Sequence, residues 1–140
     1  MSNNTSPDSA AEENGVVKLR PVYRVTTFVP PEHLEALLAG IGSVVPLRHG
    51  DYDSVAWWWA AGTEQFRPLP GAHPSQGEVG RLERVATVRL ELSIPRDPAL
   101  LGRLLTEGLL PHHPWEEPAV FVDESLAPPA RGERDAPPAR

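Results

Sequence analysis

An α+β sandwich with elements in the order β-α-β-β-α-β is the fold class this sequence predicts. Three observations carry that reading. A β-branched and aromatic run over Val22 to Val29 leads into one helical stripe, and a strict apolar/polar alternation over Leu82 to Ile94 leads into a second. A short β-branched run, Pro118 to Val122, then closes the pattern. The chain has 140 residues, and without its compositionally biased ends it holds about a hundred, enough for one core.

In order, Val22 to Val29 suits a pleated surface, and Pro30 and Pro31 end it because proline cannot donate to a ladder. Leu34, Leu37, Leu38 and Ile41 then share one face of a helix that Pro31 opens and Gly42 closes. A second strand is expected over Asp53 to Ala61, followed by a glycine- and proline-rich excursion from Gly62 to Gly80. In the third strand Ala86, Val88, Leu90, Leu92 and Ile94 form one face, and Glu83, Thr87, Arg89, Glu91 and Ser93 the other. Asp97 and Pro98 supply an N-cap and a first-turn proline, Leu101, Leu104 and Leu105 the second helix's stripe, and Gly108 its expected C-terminal cap. Pro118 to Val122 is the closing strand. Two crossover units of this kind place both helices on one face of a four-stranded antiparallel sheet, the ferredoxin-like arrangement.

The expected organisation is a tail over residues 1 to 15, a domain over 16 to 126, and a second tail over 127 to 140 rich in Pro, Ala and Arg. Neither end has the apolar content to bury itself, so both are expected to be disordered. The formal charge is -6, and Asp8, Glu12 and Glu13 sit in the first tail with no basic residue beside them. No basic stripe is left to neutralise phosphates, which argues against a nucleic-acid partner and against a polybasic membrane anchor. The chain has no cysteine, hence no disulfide, thiolate ligand or thiol nucleophile. It also lacks a secretory start and any apolar run of membrane-span length, so the expected location is cytoplasmic.

Trp57, Trp58 and Trp59 are consecutive, and on a strand the outer two face away from the middle one. Helices can cover only one of those sides. Full burial of an indole removes about 200 Å² from water, worth roughly 5 kcal/mol before ordering costs. Strand one is apolar on both faces as well, with Tyr23, Val25 and Val29 opposed to Val22 and Phe28. A homo-oligomer that covers the helix-free face is therefore expected, the competing cover being the excursion after Gly62 or a tail.

Two motif runs stand out: Gly62, Phe66, Pro68, Gly71, Pro74, Gly77 and Gly80 in the excursion, and His113, Trp115, Glu116, Glu117 and Pro118 before the last strand. Together with His49, Tyr52 and Glu83, they resemble the CutA/PII-like domain inserted in the YqfO-type, Nif-three-like proteins (NGG-interacting factor three). The resemblance covers about residues 18 to 124. It implies a ferredoxin-like subunit, here read as a stand-alone domain, that assembles into trimers or related rings with ligand clefts between subunits. It also implies that the paired metal ions of the larger family belong to a separate flanking domain, so hydrolase or cyclohydrolase labels do not carry over. Where many members show a cysteine this chain has Val55, where they show a phenylalanine it has Trp57, and the usual tyrosine of the closing motif is Trp115.

The residues themselves leave alternatives open. The glycines can serve a tight excursion turning through positive φ, stiffened by Pro68, Pro70 and Pro74, and Phe66 can plug its own core or a neighbour. Candidate ligand or metal residues are His49, His73, Glu83, His112, His113, Glu116 and Glu117, since imidazole nitrogen with carboxylate oxygen suits zinc, manganese or iron. No cofactor is required by the sequence, and a divalent metal is kept as a candidate. The competing role for the same groups is hydrogen bonding that holds the closing strand. The leading functional expectation is a non-catalytic binding or sensor module for a small ligand or divalent cation at subunit boundaries. Against it stand a metal-dependent hydrolase using His113, Glu116 and Glu117, and a purely structural or protein-interaction unit. No His-Glu-x-x-His run, phosphate-cradling loop or catalytic triad can be placed.

Overall fold

The computed structural model describes residues 17–131. The tail expected over 1 to 15 falls outside the described residues, as do residues 132–140 of the tail expected over 127 to 140. Strand β1 (Arg20–Val29) leads through a 3-10 turn (Pro31–His33) into α1 (Leu34–Gly42). Strand β2 (Trp57–Phe66) and strand β3 (Glu83–Pro95) follow. The next helix begins as α2 (Pro98–Arg103), widens into a π-helical segment (Leu104–Leu109) and ends as α3 (Leu110–His112), ahead of β4 (Val120–Ala127). The result is an α+β protein with a four-stranded sheet in the order β2-β3-β1-β4. All three pairings are antiparallel.

One cluster of side chains fills the space between sheet and helices. Tyr23, Val25 and Val29 of β1 lie opposite Ile94, Leu92 and Val88 of β3, on the same face. They pack in one core with Leu37 and Ile41 of α1 and Leu104 and Leu109 of the second helix. Both helices thus cover the same side of the sheet. A fully buried Leu or Ile contributes about 1.5–3 kcal/mol by leaving water, so the stripes that predicted the helices also hold them in place. The two helices meet at glycines. A Cβ on Gly40 would lie 2.1 Å from Cγ of His112, and one on Gly108 would lie 3.3 Å from Cα of Ile41.

Four expectations are corrected here. The second strand starts at Trp57 rather than Asp53, because Ser54 has a positive φ and the amides of Ser54 and Val55 donate to Pro46 and Leu47 instead of to β3. It also runs through Gly62 to Phe66, since the register shift between Trp59 and Gly62 is absorbed as an irregularity within the strand. Gly108 does not cap a helix. It is buried in the π-helical segment, and Pro111, which has no N–H to donate backwards, stands two residues after that widening ends. The closing strand starts at Val120, two residues later than expected, and runs to Ala127, pairing Asp123, Glu124 and Ser125 with β1; such polar residues are tolerated on an edge strand. Beyond it Pro129 and Ala130 are buried, so packing continues past the boundary expected at residue 126.

On the helix-free side, cross-strand partners share a face, so Trp57 lies beside Glu91 and Trp59 beside Arg89. Thr26 lies between Glu91 and Phe121. Glu91 has the polar parity of β3, yet only 6% of it is exposed. Arg24 donates to its carboxylate, the Arg89 guanidinium lies 3.6 Å away, and Thr26 donates at 3.4 Å. Around this buried ion group the surface is aromatic and open. Trp57 is 51%, Trp59 48% and Phe121 58% exposed, and the Arg89 guanidinium sits 5.1 Å over the Trp59 ring. Trp58 points to the opposite side with Leu90, as the alternation requires, and stays half-exposed there.

Candidate functional site

The two motif runs, remote in sequence, meet in space. The loop after β2 turns through Gly71, Gly77 and Gly80, each with positive φ. Its neck is closed by the Gly80 amide donating to the Pro68 carbonyl at 2.7 Å. At Gly77 the requirement is double, because a Cβ there would also lie 2.7 Å from Cγ of Glu83. Gly62, by contrast, has no positive φ and belongs to β2.

The second run docks on this loop through three hydrogen bonds. The His73 amide donates to Oε1 of Glu116 at 3.1 Å, the Ser75 hydroxyl donates to the Pro114 carbonyl at 2.8 Å, and the Trp115 indole N–H donates to Oε1 of Gln76 at 3.3 Å. Phe66, at the end of β2, stands with its ring 5.4 Å from that of Trp115. Between the runs lies an open groove of about 590 Å³ whose charged and aromatic lining is Glu64, Phe66, Arg67, Trp115, Glu116 and Glu117. Pro74 and Gly71 also line it. Glu64 and Phe66 pair with Val85 and Glu83, which puts them on the helix-free side, the side of Trp57 and Trp59.

His113 holds the closing run to the sheet. It is only 6% exposed. Its Nδ1 accepts from the Trp115 amide at 3.1 Å, which assigns the proton to Nε2, and Nε2–H donates to the Phe28 carbonyl at 2.7 Å. Phe28 lies one residue beyond the last β1–β4 pair, Thr27 with Val120, so the imidazole bonds to the carbonyl where the ladder stops. Burial, with a smaller contribution from nearby His33, lowers the pKa of this imidazole from its ordinary value. Both ring nitrogens are committed to the protein's own backbone, and no lone pair remains for a metal.

The other candidates are scattered. His112 places Nδ1 2.7 Å from the Gly108 carbonyl on the helix side, against Gly40. His49 forms a two-residue bridge with Tyr52, their backbones exchanging bonds of 2.7 and 3.1 Å, and both side chains are exposed. Glu83 is half-buried beside Gly77 and has Nε of Arg81 3.9 Å away. Only Glu116 and Glu117 line the groove, with Pro118 half-buried just after them. Among the described residues no three His, Asp or Glu side chains come together to hold a metal ion.

Glu64 and Arg67 were not among the candidates. Glu64 sits on a strand at an ordinary solvent-parity position, and burial in the groove raises the pKa of its carboxyl. Nothing local in sequence marks it, because the residues that line the groove with it come from the following loop and from the distant run Trp115 to Glu117. No helix among the described residues is long and apolar enough to cross a membrane.

No known protein-family profile matches the chain. Individual relatives do. A Bacillus subtilis protein named GTP cyclohydrolase 1 type 2 homolog is 34% identical over 102 residues, covering 73% of this chain and 26% of that protein. Proteins of the same name from Mycobacterium leprae and Mycobacterium tuberculosis are 35% and 36% identical over 102 residues, with the same coverage. Among solved structures, a Bacillus cereus protein described as related to NIF3 superposes with a TM-score of 0.60 at 28% identity, covering 78% of this chain and 28% of the other. The chain therefore spans about a quarter of the length of the curated relatives it matches.

Proposed function

The chain carries a domain of the Nif-three-like family, and on that premise we propose that it is a non-catalytic, oligomeric binding or sensor module of the CutA/PII-like, ferredoxin-like kind. The observation that carries this reading is the groove between Phe66 and Trp115, built by two motif runs that are pinned to each other rather than left free. The strand order β2-β3-β1-β4 with both helices on one side supports the ferredoxin-like assignment. Commitment of both His113 nitrogens and of one Glu116 oxygen to the backbone supports binding over metal-assisted hydrolysis. The relatives' name, GTP cyclohydrolase 1 type 2 homolog, belongs to proteins nearly four times this span, and that activity is not assigned to this domain.

Sister copies cover the helix-free face. Trp57, Trp59 and Phe121 each leave about half their surface wet, on the order of 100 Å² apiece and about 2.5 kcal/mol each if covered. Because Glu64 and Phe66 lie on that same side, assembly there would bring a neighbouring subunit alongside the groove. The proposed assembly is a trimer or related closed ring. Light scattering on the eluting protein tests it: a multiple of 15.3 kDa is expected for the wild type, and the single-chain mass for Trp57→Ala/Trp59→Ala. A wild-type protein that elutes as one chain at micromolar concentration refutes the assembly. A small ligand that raises the melting temperature of the wild type but not of Trp115→Ala tests the groove.

A further inference from the structure

The chemistry of the groove narrows what it can hold, and this step rests on the groove being a binding site. Its lining carries three carboxylates, Glu64, Glu116 and Glu117, against one guanidinium, Arg67. The Glu116 carboxylate already accepts the His73 amide, whereas the carboxylates of Glu64 and Glu117 have neither hydrogen bond nor ion pair among the described residues. The aromatic walls are fixed: the Trp115 indole is held by Gln76 and by its own amide's bond to His113, and Phe66 is anchored in β2. A bare metal ion fits poorly, because among the described residues no three acidic or imidazole side chains come together to hold one, and two walls are aromatic rings. An anion meets net negative charge. An organic cation meets carboxylates for its charge and ring faces for its body, and a desolvated ring face itself attracts cations.

We propose that the groove binds a small organic cation, an amine or guanidine-type group carried on a flat apolar body, with Glu64 and Glu117 taking the charge and Phe66 and Trp115 the body. The raised pKa of the Glu64 carboxyl agrees with this, since a bound cation favours its ionised form and offsets its desolvation.

The test uses the full chain and four probes of one size: benzylamine, benzamidine, benzyl alcohol and benzoate. Binding is followed by the NMR shift of the Trp115 indole N–H and by calorimetry. Benzylamine and benzamidine are expected to bind at least about tenfold more tightly than the alcohol or the acid, and to weaken as salt rises. Glu64→Gln and Glu117→Gln are each expected to weaken benzamidine about threefold to tenfold while leaving benzyl alcohol unchanged. If benzyl alcohol or benzoate binds as tightly as the cations, or if both variants bind benzamidine undiminished, the cation assignment is overturned and the groove survives as a site of other selectivity. If no probe moves the Trp115 signal and no other small molecule stabilises the protein, the groove fails as a binding site and the cation assignment falls with it.

Discussion

Replacing His113 with phenylalanine keeps an aromatic ring beside Trp115, whose centroid is 5.7 Å away, and removes two hydrogen bonds. The Phe28 carbonyl loses its donor at 2.7 Å and the Trp115 amide loses its acceptor at 3.1 Å. A buried polar group left without a partner costs about 1–3 kcal/mol, so the pair predicts a loss of about 2–6 kcal/mol. For a domain of this size that is a fall in melting temperature of about 10 °C or more. Urea unfolding should show a lower midpoint with an unchanged slope. The difference should also depend on pH. The folded pKa of His113 lies below the ordinary 6.5, so as pH falls through 6.5 the unfolded chain takes up a proton that the folded chain refuses. Wild-type stability therefore declines from about pH 7 down to the lowered folded pKa, while the phenylalanine variant lacks that contribution, and the gap between them narrows in acid. A variant as stable as wild type at about pH 7.5, or a gap constant down to about pH 5, would refute the assignment of a neutral, doubly bonded imidazole.

Further outcomes follow from particular contacts. Gly40→Ala should destabilise the protein by about 1–3 kcal/mol in thermal unfolding although alanine is the better helix former, because its methyl would overlap His112. Asp97→Ala should cost about 0.5–2 kcal/mol by chemical denaturation, since the Asp97 carboxylate accepts from the amides of Ala99 and Leu100 at 3.0 and 3.3 Å. Glu64→Gln should raise thermal stability at neutral pH: its folded pKa is raised, so the wild type loses stability as pH climbs from the ordinary carboxylate value through the folded one. Equal melting of Glu64→Gln and wild type at every pH would place the Glu64 carboxyl in free solvent.

Sequence periodicity reached the elements whose signals are local, and failed where a distant segment decides. The stripe Leu34, Leu37, Ile41 and the alternation Val88 to Ile94 were legible because a residue's face follows from its spacing alone. The boundary of β2 was not, since it depends on Ser54 and Val55 bonding back to Pro46 and Leu47. Gly108 looked like a cap because glycine serves two needs, positive φ and close approach, and only the crossing of α1 tells which applies. Glu91 had a polar residue's parity, yet Arg24, Thr26 and Arg89 enclose it.

By itself, then, the order of amino acids determined the succession of strands and helices, the Asp97 cap, the opposed tryptophans and the family of the domain. Tertiary structure alone decided that the two motif runs face each other across a groove, that His113 is spent on backbone bonds, and that Glu64 and Arg67 join the lining. The physical reason is range. Backbone periodicity and capping act within a few residues, whereas desolvation and hydrogen-bond commitment depend on which remote atoms the fold brings within about 3 Å.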